Sequence, residues 1–393
     1  MPWNETDVMQ ERMKFVCECL EGDEAMAGLC RAYGISRKTG YRWLDRYRTD
    51  GICGLLDRSS APHRHPQAVP EELVALIVSV RRRHRTWGPR KVRAWLAAHY
   101  PGVSWPAAST IGTLFDRAGL TVPRPRRRRT PPPAAPLAHA RAANDVWTID
   151  FKGWFRTGDG KRCDPLTLQD AASRYLLRCR VLERLSCEQV WPQLDVAFRA
   201  YGLPGAVRSD NGEPFASVAI GGLSRLAVKL IKAGVMPERI APGKPQQNGR
   251  HERLHLTLQQ ETASPPASNG IAQQRRFDAF ARIYNEDRPH EALDQSPPAR
   301  HYEPSPRVYR GRLRSPEYDD RHQVRKVRGS GEVKWHGKTI FISTVLIGEP
   351  VGLVELEDGR WRLSYGPLQL GVIDDKGRVH KPTRPVPENL DTP

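Results

Sequence analysis

Long apolar runs are missing from this chain. The longest near-continuous one, Leu73 to Val80, stops at Arg81-Arg82-Arg83 and falls well short of the roughly 18 residues that span a bilayer. No secretory leader is read at its start. Cysteine is sparse too: seven residues (17, 19, 30, 53, 163, 179, 187) form no Cys-x-x-Cys pair. An odd count argues against a disulfide framework, so reduced thiols and a cytoplasmic location are expected. Acidic residues fall short of basic ones, 44 against 62, which gives a formal charge of +18 and a pI near 9.9. Such a balance favours a polyanionic partner, nucleic acid first. What is present suffices for real cores: 393 residues with 39% hydrophobic content predict several domains.

Residues 1–55 read as a helix-turn-helix domain, with helices around Met13 to Leu20 and Ala25 to Tyr33, a turn at Gly34-Ile35, and a third helix starting at Ser36. Ser36 is a good N-cap. The third helix would hold Ile35 and Trp43 inward and present Arg37, Lys38 and Arg42 to a major groove. Helical spacing over Pro70 to Arg83, Pro89 to Ala98 and Ala107 to Gly119 predicts a second helix-turn-helix or winged DNA-binding domain over 68–120. Two such modules in tandem could read one long site. Residues 121–144 are a basic Pro/Arg-rich linker, in which Arg126, Arg127, Arg128 and Arg129 could track phosphates or a minor groove.

Three short islands carry the chemistry: Trp147-Thr148-Ile149-Asp150, Ser209-Asp210-Asn211-Gly212, and Gly243 to Glu252. Between Val146 and Phe155 the residues alternate, which places Asp150 mid-strand on the polar face. Asp210 follows the apolar pair Ala206-Val207 and runs into Asn-Gly, a pair that ends strands. Glu252 lies just inside a helix that follows a Pro/Gly-rich loop. Three carboxylates in one cleft repel one another and raise each other's pKa. Divalent cations relieve that penalty, and oxygen ligands suit Mg2+ or Mn2+.

These islands resemble the core of the DDE transposases of bacterial insertion sequences, whose catalytic domain is similar to retroviral integrases. The match extends over roughly residues 140 to 305 and includes Tyr284-Asn285, Arg288-Pro289-His290 and Ala292-Leu293. The resemblance implies an α/β RNase H-like integrase catalytic core over 145–305, a mixed sheet with flanking helices. It also implies Asp150, Asp210 and Glu252 as catalytic metal ligands for two Mg2+ or Mn2+ ions. Lys244, Asn248 and Arg250 would lie against DNA. The His-His-Cys-Cys zinc module of the retroviral enzymes is not evident, which favours the bacterial branch. Two departures stand out. The Asp210 to Glu252 interval is 252 − 210 = 42 residues, against the roughly 36 that the resemblance implies; the excess falls in Ser217 to Gly234, which reads as one amphipathic helix. Gln259 stands where relatives commonly carry Lys or Arg.

Within the core, Leu166 to Gln169 and Tyr175 to Val181 read as a hairpin, and Ser186 to Tyr201 as a helix capped by Ser186 and Gln189 with Pro192 inside it. A further helix is expected around Ile271 to Tyr284. From Gly329 the pattern turns to period-2 alternation, and five strands near Glu332 to Trp335, Thr339 to Ile342, Val351 to Leu356, Trp361 to Ser364 and Gln369 to Ile373 predict a small SH3-like β-barrel over 329–380.

The functional expectation is an insertion-sequence transposase. It would bind double-stranded DNA at terminal inverted repeats, cleave and join strands by metal-dependent phosphoryl transfer without a covalent intermediate, and work as a homo-oligomer assembled on DNA, nucleoid-associated in a bacterial cytoplasm. The alternative is a sequence-specific DNA-binding regulator that retains the core as a scaffold.

Overall fold

The computed structural model describes residues 7–58, 68–121, 139–215, 217, 220–240 and 249–380. It divides into two units, Met1–Ala68 and Val69–Pro393. In the first, α1 (Val8–Glu21), α2 (Met26–Ala32) and α3 (Arg37–Asp50) enclose Phe15, Val16, Leu29, Cys30, Trp43 and Leu44. Ser36 caps α3 as expected, its hydroxyl accepting from the Thr39 N–H at 3.1 Å. Gly40 lets α3 cross closely, since a Cβ there would press on Cys30 Sγ and the Phe15 ring.

The second unit opens with α4 (Glu71–Arg83), α5 (Pro89–His99) and α6 (Ala108–Arg117), packed around Trp87, Val92, Leu96, Ile111 and Phe115. No strand occurs among the described residues of this segment, so it is helical and has no wing.

A mixed sheet follows. Its strands are β1 (Val146–Phe151), β2 (Phe155–Arg156), β3 (Arg162–Asp170), β4 (Leu176–Leu182), β5 (Ala206–Ser209) and β6 (Met236–Arg239), in the order β2-β3-β1-β5-β6 with β4 also on β3. The β3–β4 hairpin matches the expected one, and β1, β5 and β6 run parallel. One face is covered by α7 (Cys187–Tyr201) and α8 (Arg225–Lys232), whose Val190, Leu194, Phe198, Leu226 and Leu230 meet Trp147, Ile149, Leu166 and Val207. The other face is covered by α9 (Gly249–Thr262) and α10 (Gly270–Arg282), through Leu254, Leu258, Phe277 and Phe280. Because both faces are covered, Val146, Trp147, Thr148 and Ile149 are all buried, and the polar–apolar alternation read in the sequence is not an alternation of exposure.

Two local expectations are corrected. Ser186 precedes α7 without a side-chain cap bond, and Gln189 Oε1 instead accepts from the Glu183 and Arg184 N–H groups at 3.2 and 2.9 Å. The stretch expected as one helix over 217–234 is a 3-10 turn at Ile220–Gly222 followed by α8, which Ser224 caps. A Ser hydroxyl able to bond the Ala227 N–H competes with helix continuation and resets its start.

The C-terminal strands are β7 (Gln323–Lys326), β8 (Glu332–Trp335), β9 (Lys338–Phe341), β10 (Pro350–Glu355), β11 (Trp361–Tyr365), β12 (Leu368–Ile373) and β13 (Val379–His380). Instead of closing into one small barrel, they pair as a five-stranded sheet, β13-β12-β11-β10-β7, and a separate β8–β9 hairpin. His336 and Gly337, both with positive φ (46° and 73°), form the tight turn of that hairpin. The two pieces share one core: Val333, Trp335 and Ile340 pack with Leu353, Leu363 and Tyr365, and also with Leu223, Ala227, Val228 and Ile231 around α8. Lys232 and Glu349 join the same surfaces by an ion pair at 2.5 Å. Among the described residues, no helix is long and apolar enough to cross a membrane.

Candidate active site

Parallel pairing of β1 with β5 fixes a constant register: 206 − 146, 207 − 147 and 208 − 148 all equal 60. Because the two strands run the same way, Asp150 near the end of β1 and Asp210 just beyond β5 both lie at the carboxyl edge of the sheet. Asp150 is the penultimate residue of β1 and Asp210 follows β5 directly. The Asn-Gly turn behaves as its residue types require. Asp210 Oδ1 accepts from the Gly212 N–H at 3.2 Å, and Asn211 Nδ2 donates to the Ile240 carbonyl at 3.0 Å, tying the turn to the end of β6. Gly212 also leaves open space, because a Cβ there would sit 3.1 Å from Asp210 Oδ2. Burial raises the Asp210 pKa above the ordinary carboxyl value, and the Gly212 N–H opposes that shift.

Glu252 sits in the first turn of α9, exposed. Its helix is anchored by residues that the sequence reading passed over. Thr167 on β3 pairs with Asp150 on β1, and its hydroxyl donates to the Asp150 carbonyl at 3.2 Å. The same oxygen lies 3.0 Å from His251 Nε2 and 2.8 Å from His255 Nε2. A hydroxyl has one proton and two acceptor sites, so with the proton on the Asp150 carbonyl it accepts an Nε2–H from each ring. Burial holds both imidazoles neutral: it lowers His255 to about 4, with Lys152 adding to the effect, and His251 well below its ordinary value. The spacing His251-x-x-x-His255, one helical turn on a single face, was the readable signal. At 100° per residue, Glu252 occupies the stripe beside that face, together with the exposed Gln259.

The structure thus brings Asp150 and Asp210 to one edge and fastens the Glu252 helix next to them. Among the described residues, no three His, Cys, Asp or Glu side chains converge into a metal-holding group. The donor set nevertheless fits a hard divalent cation, being made of carboxylate oxygens with room left by Gly212 beside one of them.

The motif that closes the core resemblance has a structural meaning. Tyr284 Oη lies 3.1 Å from Gln169 Nε2, and Asn285 brackets β4 by accepting from the Leu176 N–H at 2.8 Å and donating to its carbonyl at 3.0 Å. Arg288 is buried and pairs with Glu261 at the end of α9 at 2.5 Å, while Thr86 of the second helical module bonds both. Lys91 on α5 donates to the Pro289 carbonyl. Tyr284 to His290 is therefore a bracket between the helical module and the core.

Arg37, Lys38 and Arg42 are exposed along α3 as expected, and Lys38, Thr39, Tyr41, Arg42 and Arg48 line a shallow groove. Arg126, Arg127, Arg128, Arg129, Lys244 and Asn248 lie outside the described residues, and Arg250 is placed only by its position on α9.

Several family models match this chain. A helix-turn-helix domain matches residues 11–63 and a homeodomain-like domain residues 39–115, while an integrase core domain matches residues 140–245 and again 233–298. The chain is a helix-turn-helix protein with an integrase core. It is 31% identical over 236 residues to the insertion element IS407 31.7 kDa protein of Burkholderia multivorans, covering 60% of this chain and 82% of that one. It is 29% identical over 252 residues to the insertion element IS476 39.2 kDa protein of Xanthomonas euvesicatoria, covering 63% and 70%. The chain belongs to the insertion-element transposases with an integrase-like core. Among solved structures, the integrase catalytic core domain of HTLV-2 in complex with magnesium is similar at 11% identity and a TM-score of 0.33, covering 41% of this chain and 98% of that one.

Proposed function

We propose that this transposase cuts and joins DNA strands at the ends of its element, with Asp150, Asp210 and Glu252 as the catalytic carboxylates. The observation that carries the reading is the parallel pairing of β1 with β5, with Asp150 near the carboxyl end of one and Asp210 directly after the other, and the Glu252 helix pinned beside them through Thr167. Phosphoryl transfer asks the protein mainly to position the reactants and to offset developing negative charge. Two divalent cations, Mg2+ or Mn2+, would supply that charge and lower the pKa of the attacking water. The three carboxylates would hold them, and His251 and His255, kept neutral by burial, would add no competing charge. Asp210, destabilised as an anion by burial, would be relieved by a cation beside it.

The sequence order suggests a division into 1–55 and 68–120 for end recognition, 121–144 as linker, 145–305 for catalysis and 329–380 as a β-rich module packed on the core. Arg37, Lys38 and Arg42 read bases or phosphates, and Arg126 to Arg129, Lys244, Asn248 and Arg250 are further DNA contacts in this reading. Joining two ends in concert calls for a homo-oligomer on DNA.

The test is incubation with a labelled duplex carrying the element's terminal repeat, in Mg2+, Mn2+ or EDTA, followed by strand analysis. Metal-dependent nicks at the repeat end with joined products are expected. Tight, sequence-specific binding with no cleavage in either metal would refute the enzyme and leave a DNA-binding regulator.

A further inference from the structure

Residues 305–314 form a strap that the integrase reading does not use. It is fastened across the core by backbone bonds: Ser305 N–H to the Tyr201 carbonyl at 2.8 Å, Leu203 N–H to the Arg307 carbonyl at 2.8 Å, and Arg314 N–H to the Lys232 carbonyl at 2.9 Å. The Arg307 guanidinium bonds the carbonyls of Pro204 and Gly234. Tyr309 is buried against Phe198 and donates to Asp195 at 3.0 Å, and Leu313 packs on the same core. With those residues turned inward, Arg310, Arg312 and Arg314 are all exposed. Among the described residues none of the three has an acidic partner, and they line one groove together with Lys232 and Glu317. Lys232 is engaged by Glu349, and Glu317 alone does not balance three guanidiniums.

Topology places this groove. The anchor residues 201–205 precede β5 and 232–235 precede β6, so the strap lies at the amino edge of the parallel strands. Asp150 and Asp210 lie at the carboxyl edge. From Leu203 to Asp210 is seven residues, about 20 Å of extended chain, so a duplex seated on the carboxylates does not lie along the strap.

We propose that Arg310, Arg312 and Arg314 form a second DNA-backbone site at the sheet edge opposite the carboxylates, holding a duplex segment other than the one being cut. The proposal rests on the reading of this chain as a DNA-binding protein. A pinned backbone favours it, because the three guanidiniums are displayed without the ordering cost that a free basic tail incurs on binding. Arginine also matches phosphate geometry, by bidentate hydrogen bonding. Held this way, three phosphate contacts contribute affinity without sequence preference.

The test measures binding of the full chain to a random-sequence duplex in EDTA across a salt series. Each phosphate neutralised contributes about 0.9 to the slope of log K against log salt, so Arg310→Ala/Arg312→Ala/Arg314→Ala should make the slope shallower by about 2 to 3. The corresponding triple lysine variant should keep most of it. An unchanged slope in the alanine variant, or an equal loss in the lysine variant, overturns the proposal. Failure of the wild-type chain to bind duplex at all would instead strike the DNA-binding reading itself.

Discussion

Thr167 Oγ1 and His255 Nε2 stand 2.8 Å apart, and this contact joins the strand that pairs with Asp150 to the helix that carries Glu252. Outer-shell hydrogen bonds of this kind are worth roughly 10 to 100-fold in metal affinity or activity. Thr167→Val keeps the shape and removes all three bonds. The expected outcome is a rise of that order in the Mg2+ concentration giving half-maximal cleavage, with end binding unchanged. An unaltered metal dependence would reduce Thr167 to packing.

If Asp150, Asp210 and Glu252 are the proposed metal ligands, replacing any one by Ala would remove several kcal/mol of transition-state charge stabilisation, and each 1.36 kcal/mol is tenfold. Cleavage should fall at least about a thousandfold while binding to the terminal repeat persists. Residual cleavage close to wild type in any one variant would remove that residue from the ligand set.

How far the site was legible in the sequence follows from which residues speak locally. Asp210 announces itself because it closes a short apolar run, and Asn-Gly at 211–212 marks a strand end by its own conformational preference; alternation places Asp150 mid-strand, whereas it is the penultimate residue of β1. Ser36 likewise fixes the start of α3. Thr167 gives no such signal: a threonine within a strand is ordinary, and its role exists only because α9 packs over β3. β6 was missed because Met236-Pro237-Glu238-Arg239 lacks an apolar run and is held as a strand by pairing with β5. The expected barrel failed for a similar reason. Strand positions were readable from alternation, whereas partner choice depended on the His336-Gly337 turn and on Leu223, Ala227, Val228 and Ile231 offering a surface to pack on.

Arg37 and Arg42 on α3 are predicted to govern end binding. A residue reading a base edge accounts for about 1–3 kcal/mol of discrimination, whereas a phosphate contact weakens all sequences alike. Arg42→Ala should therefore lower affinity for the terminal repeat, and comparison with a scrambled duplex separates the two roles. Equal affinity of variant and wild type for the repeat would exclude α3 at that position.

Arg288 and Glu261 form a largely buried pair at 2.5 Å, with side chains 8% and 22% exposed. Removing one partner of a buried pair costs about 3–5 kcal/mol, because the other charge is left without compensation. Arg288→Met should lower the melting temperature markedly, whereas Arg288→Met with Glu261→Leu should recover part of the loss. Additive losses in the double variant would show that the two side chains are not coupled.

Lys91 gives a pH test of the same junction. Burial, reinforced by Arg288 and Arg253, lowers its pKa from 10.5 to about 8 in the folded chain. Below pH 8 both folded and unfolded chains carry the proton, and the fold bears the full cost of a poorly solvated ammonium. Between about 8 and 10.5 the folded chain has released the proton and the unfolded chain has not, so the unfolded state binds more protons and stability rises with pH. Other groups titrate in this window, but they are common to wild type and variant and cancel in the difference between them. The wild-type melting temperature minus that of Lys91→Met should therefore increase as the pH goes from 7.5 to 10.5. A constant difference across that range would show that Lys91 keeps an ordinary pKa and that its ammonium stays in water.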